Sequence, residues 1–226
     1  MECDNRIIDL LNEKAAVKQE VNTMGQKHFS SLKDVAGQLV DTLCADPCPI
    51  HKSVEVELKE KNEFEFQLFF GGDVLHFSRH SNVFKFEDNH RVWKLSYLKE
   101  DRRRGFFAVI NIYNFMADSI KMQRLNDHGI LLGRIFINRE GHFFTEGSRQ
   151  FSFLFNDLAR QKCDASNLLK MMETAIIYGL EYDLTVPAYK DMLRASVKQV
   201  LSESMQREQY TSKKVGLGYY SRMKKI

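Results

Sequence analysis

SVEVELKEKNEFEFQLFFGGDVLHFSR, residues 53–79, decides the fold. Apolar and polar residues alternate through Val54–Leu58 and again through Glu63–Phe70, where the second run ends fully apolar. A period of two sends successive side chains to opposite faces of an extended strand. Gly71-Gly72 offers a tight turn, and Asp73–Arg79 resumes the alternation. The stretch therefore reads as the start of an antiparallel meander.

Working downstream, His80-Ser81-Asn82 and Asp88-Asn89 are turn candidates that bound two further strand-like runs, 82–88 and 91–98. The inward row expected from this pattern is Phe64, Phe66, Leu68, Val74, Phe77, Phe84, Phe86, Trp93, Leu95 and Tyr97. Lys99–Arg104 interrupts it with four cations and two carboxylates. Gly105–Ala117 is a long uncharged run of β-branched and aromatic residues, which suits a central strand covered on both faces. After a polar link, 118–127, the runs 130–138 and 142–147 form a hairpin around Arg139-Glu140-Gly141.

On either side of this block the period changes. Ile7, Leu10, Leu11, Ala15, Val17 and Val21 fall near one helical face that Gly25 is expected to close. Leu32, Val35, Ala36, Leu39, Val40 and Leu43 mark a second helix, with Ser31 and Asp34 as its cap and Asp46-Pro47 as its stop. Residues 150–162 fit either period, with helix expected, because Phe151, Leu154, Phe155 and Leu158 share a face. Leu168, Leu169, Met172, Ala175, Ile176 and Leu180 predict another helix. Pro187 opens a last one bearing Met192, Leu193, Val197, Val200, Leu201 and Met205.

Helices, then strands, then helices, with no βαβ alternation, imply an α+β fold. The expectation is an antiparallel sheet of about seven or eight strands, covered on one face by N-terminal and C-terminal helices. One domain spans 1–206, with helices in 4–45, the sheet in 53–147 and helices in 150–206. A basic tail, 207–226, follows.

Charge is unevenly placed. The chain carries a net +3, while residues 207–226 hold six cations against Glu208, so the remainder is slightly acidic. In the tail Lys213, Lys214, Arg222, Lys224 and Lys225 interleave with Tyr219 and Tyr220. Cations can neutralise phosphates while tyrosines stack on bases. The same composition also suits a solvated tail. The Gly216-Leu217-Gly218 triplet lacks the third glycine and the strand–helix setting of a dinucleotide fingerprint.

Other candidate chemistry is sparse. Cys44, Cys48 and His51 are at most three ligands of a structural zinc site, which needs four, and Cys163 or Cys3 would have to supply the fourth. No second short-spaced pair exists, so a plain helix end is the expectation and no metal or cofactor is assigned. Four scattered cysteines do not make a disulfide framework. Asp118, Arg124, Asp127, Arg134, His142 and Glu146 form a polar set in which His142 and Glu146 share a strand face by their even spacing. Salt-bridged turn residues explain the set as well as acid–base chemistry does. The N-terminus has no apolar signal region, and no apolar run is long enough to span a bilayer.

These observations point to a cytoplasmic, non-catalytic binding or assembly protein. Its tail would contact nucleic acid or a protein partner, and an exposed sheet edge would let two copies pair. The alternatives are a small-ligand sensor with a pocket between sheet and helices, and an enzyme built on His142 and Glu146.

Overall fold

The meander forms where the alternation places it. A computed structural model describes residues 4–45, 50–147 and 150–184, with Val186, Ala188, Tyr189 and Val197 beyond. Seven strands make one antiparallel sheet: β1 (Val56–Asn62), β2 (Glu65–Phe70), β3 (Asp73–Arg79), β4 (Phe84–Lys85), β5 (Phe106–Met116), β6 (Ile130–Ile137) and β7 (Phe143–Gly147). Their order is β1-β2-β3-β5-β6-β7, and β4 joins β5 beyond the end of β3. The fold is α+β.

The N-terminal helices differ from expectation. α1 (Asn5–Leu10), a π-helical turn (Leu11–Ala15) and α2 (Ala16–Cys44) run on without a break. Gly25 ends nothing. It lies buried inside α2, where a Cβ would stand 2.4 Å from that of Ala108, so its missing side chain lets helix and strand approach closely. Ser31 caps nothing either, since its hydroxyl donates back to the Lys27 carbonyl within the helix.

α2 lays Phe29, Leu32, Val35 and Ala36 on the sheet, and α6 (Ala165–Leu180) adds Leu168, Met171, Met172 and Ala175. They meet Phe66, Leu68, Leu75, Phe77, Ile110, Ile112, Ile135 and Phe143. The register makes these strand residues one face: Phe66 pairs with Phe77, Phe77 with Ile112 and Ile137 with Phe143. Val74 stands an odd number of residues from Phe77 and joins Phe69 and Ala117 on the opposite side, correcting its place in the inward row. Burying each large side chain stabilises by about 1.5–3 kcal/mol before chain entropy is counted.

Residues 91–98 are not a strand. They form a 3-10 turn (Arg91–Lys94) and the short helix α3 (Ser96–Glu100). β5 already has β3 and β4 on one side and β6 on the other, so no edge remains for them. The segment 86–105 instead lies across the second sheet face as a lobe. Its Phe86, Val92, Trp93, Tyr97 and Leu98 pack on Phe107, Val109, Phe136 and Phe144. Phe84 and Leu95, expected inside, are exposed. β5 is thus covered on both faces, as its composition predicts.

After the short helix α4 (Ala117–Lys121), the β6–β7 hairpin forms around residues 139–141 as expected. α5 (Gln150–Leu154) confirms a helix only at the start of 150–162. The chain then runs beside β7, where the carbonyls of Phe155 and Gln161 accept the Thr145 and Phe143 amides at 2.8 and 3.0 Å. Phe151 and Phe155 are buried and Phe153 is exposed. Of the helix expected after Pro187 only Ala188, Tyr189 and Val197 are among the described residues, and the tail lies outside them. No helix among the described residues is long and apolar enough to cross a membrane.

Candidate functional site

The strongest polar grouping was not anticipated from sequence. At the β6–β7 turn, Asn138 accepts from the Glu140 and His142 amides, both at 3.0 Å, and Gly141 takes a positive φ. This Asx turn presents Glu140 to the lobe. Glu140 accepts from the Tyr97 hydroxyl (2.8 Å) and from Arg104 Nε (2.9 Å), while the Asn138 amide donates to the Tyr97 oxygen (2.9 Å). Arg104 also pairs with Glu100 and donates to the Tyr97 carbonyl. Burial pushes the Tyr97 phenol up to about 12, opposed by the Asn138 hydrogen bond and aided by Glu140. Burial would raise the Glu140 carboxyl, but the hydrogen bonds from Arg104 and Tyr97, with the charge of Arg104, hold it below the usual carboxylate range. Every member is satisfied, so the knot fastens the lobe to the hairpin and leaves no group poised for proton transfer.

The outer side of the lobe is different. Trp93 lies against Gly105, where a Cβ would come within 2.2 Å of the ring, and its Nε1 donates to the Glu87 carbonyl at 3.0 Å. Lys85 and Arg102 stand over the indole at 5.2 and 5.5 Å. Arg91, Lys94, Lys99 and Arg102 are exposed, and among the described residues none has an ion-pair partner. Within Lys99–Arg104, then, Arg103 and Arg104 are held by Asp101, Glu100 and Glu140, while Lys99 and Arg102 face solvent.

The other sequence candidates disperse. The Cys44 thiol is exposed and points to the Val56 carbonyl at 3.7 Å, and His51 pairs with Ser53 at 2.7 Å. Cys48 and Cys3 lie outside the described residues. Cys163 is buried in the core, its amide on the Gly141 carbonyl, next to the level of His28 on α2. His28 and Cys44 are sixteen residues apart, about 24 Å along a helix, so Cys163 is no fourth ligand. Burial raises its thiol pKa, and no group of three or more metal-ligating residues occurs among the described residues.

His142 and Glu146 do share a face, yet Phe144 separates them by a strand span of about 13 Å. His142 stacks on Tyr97 and its Nδ1 pairs with the Leu158 carbonyl at 3.0 Å. Glu146 is held by Arg134 at 2.6 Å and approached by His90 at 3.8 Å. Asp127 takes the Ser119 hydroxyl at 2.6 Å and lies 3.9 Å from Arg124, while Asp118 is exposed. Where the alternative small-ligand sensor would need a pocket between sheet and helices, Phe66, Phe77, Leu32, Met171 and their neighbours fill the space. The tail residues Lys213, Lys214, Tyr219, Tyr220, Arg222, Lys224 and Lys225 lie outside the described residues.

Comparison with known proteins finds no match: no family model, no curated protein and no solved structure is similar to this chain.

Proposed function

We propose that the chain is a cytoplasmic, non-catalytic binding protein whose partner is nucleic acid. The carrying observation is the set of exposed lobe cations Arg91, Lys94, Lys99 and Arg102, which have no ion-pair partner among the described residues, with Arg102 over the Trp93 indole. Cations flanking an aromatic plane suit a phosphate backbone with stacked bases. The tail supplies a second set of the same composition, and Lys213, Lys214, Tyr219, Tyr220, Arg222, Lys224 and Lys225 are its contacts. The free Cys44 thiol fits a reducing compartment. A second copy is the alternative partner through β1, although Glu57, Lys59 and Lys61 on that strand act against edge pairing.

The test is a titration of full-length protein against labelled single- and double-stranded DNA and RNA at two salt concentrations. It is repeated with a 1–206 truncation and with the double variant Lys94→Glu/Arg102→Glu. Binding should weaken with salt and fall in both altered proteins, with a shallower salt dependence in each because fewer counterions are released. Equal, salt-insensitive binding by all three would refute the proposal.

A further inference from the structure

We propose that Arg79 anchors a site for a small oxyanion, a carboxylate or phosphate group, at the end of β3. Arg79 is 5% exposed, yet no carboxylate among the described residues lies within ion-pair distance of it. Its Nη1 donates to Asn22 on α2 at 2.9 Å, and its guanidinium covers the Phe64 ring at 4.6 Å. Its Nε is buried with no acceptor. A buried cation held by a neutral amide and a ring leaves part of its donor fork unused, and that fork matches an oxyanion's geometry.

The surroundings suit such a ligand. Arg79 lines a cavity of about 420 Å³ with His80 and Ser81 of the following turn, whose side chains can donate hydrogen bonds, while Asn62, Ser78 and Asn111 line it from the opposite sheet face, in register with Glu65. A neighbouring cavity of about 590 Å³ contains Asn22, Ser81 and Lys18. Glu65 is the carboxylate at the first cavity. It pairs in register with Ser78, on the sheet face opposite Arg79, so it neither neutralises the guanidinium nor favours an anion there. Burial lowers the proton affinity of Arg79 and the charge of Glu63 acts the other way, which agrees with a cation short of counter-charge.

The experiment measures the thermal midpoint of full-length protein with inorganic phosphate and, separately, acetate, at ionic strength held constant with sodium chloride. Phosphate or acetate should raise the midpoint of the unaltered protein, and which of them does so identifies the ligand class. Asn22→Asp places a carboxylate beside Arg79. It should raise the midpoint without added anion and weaken the response at least tenfold in apparent affinity. Glu65→Gln, at a half-buried rim position, should strengthen the response. If neither anion shifts the midpoint, or if the shift persists unchanged in Asn22→Asp, Arg79 is a structural cation and the site does not exist.

Discussion

The two faces of the sheet are buried by different means. On one, α2 and α6 lay a continuous apolar surface over six strands, and Phe29, Phe66 and Phe77 interlock at ring separations of 5.3 and 4.5 Å. On the other, a lobe of short helical turns covers one end of β5–β7 with a smaller aromatic cluster. It is fastened at its rim by the Tyr97–Glu140–Arg104–Asn138 knot. The first arrangement is nearly all hydrophobic burial and belongs to the cooperative core. The second holds fewer apolar contacts and more exposed hydrogen bonds, which places it nearer the low-stability end of the molecule. It is also where unpaired charge is displayed.

The largest effect should come from the helix face. Phe66→Ala removes a fully buried ring and should cost about 3–5 kcal/mol in urea unfolding. The chain has a single tryptophan, Trp93, and it sits in the lobe, so its fluorescence reports on the lobe alone while far-ultraviolet circular dichroism reports on the whole. The two signals should move together in Phe66→Ala. In Leu98→Ala, a loss of about 2–5 kcal/mol on the lobe side, the fluorescence transition should come first. Coincident transitions in Leu98→Ala would break the distinction between the faces.

Two glycines of α2 sharpen it further. Gly25→Ala drives a methyl into Ala108 and should destabilise by about 1–3 kcal/mol. Gly37→Ala meets only the end of Leu58, at 3.8 Å, and should stabilise by about 0.5–1 kcal/mol through helix propensity. Opposite signs within one helix, measured by urea midpoints, locate the close approach at one point.

The smallest effect is in pH. His28 on α2 and His76 on β3 stand on opposite sides of the sheet. Burial lowers the pKa of both, helped at His28 by Lys27, and at His76 opposed by Glu65 and helped by Lys61. Folded His28 and His76 therefore resist a proton that the unfolded chain accepts below about pH 6.5. Stability should be unaffected above that value and fall as the pH drops through it. Urea midpoints at neutral and mildly acid pH should show this. His28→Gln and His76→Gln should each flatten the slope, and an unchanged slope in both would remove histidine burial as its cause.

Legibility followed how local the signal was. β2, β3 and the Arg139–Gly141 turn are spelled by neighbouring residues, as are the 3.6-residue stripes of α2 and α6. The run 91–98 misleads because Trp93 and Tyr97, four apart, satisfy a helical spacing and an alternating one together. Of the candidate site residues, His142 and Glu146 were placed on a common face correctly, but nothing in their spacing reveals that Tyr97 and Arg134 claim them separately. The Asn138–Gly141 turn was visible, and its role in presenting Glu140 to Tyr97 and Arg104 was not, because those partners lie about forty residues away in sequence.

The sequence by itself determined the fold class, an antiparallel sheet of about seven or eight strands and the doubly covered central strand, since period and composition act over a few residues at a time. Only the tertiary structure decided that Gly25 is a contact rather than an end. It alone placed residues 86–105 over a sheet face instead of in the sheet, and left Arg79 buried against a neutral asparagine. Each of these depends on which surfaces meet once the chain has folded, and packing between distant segments outweighs local preferences of a fraction of a kcal/mol per residue.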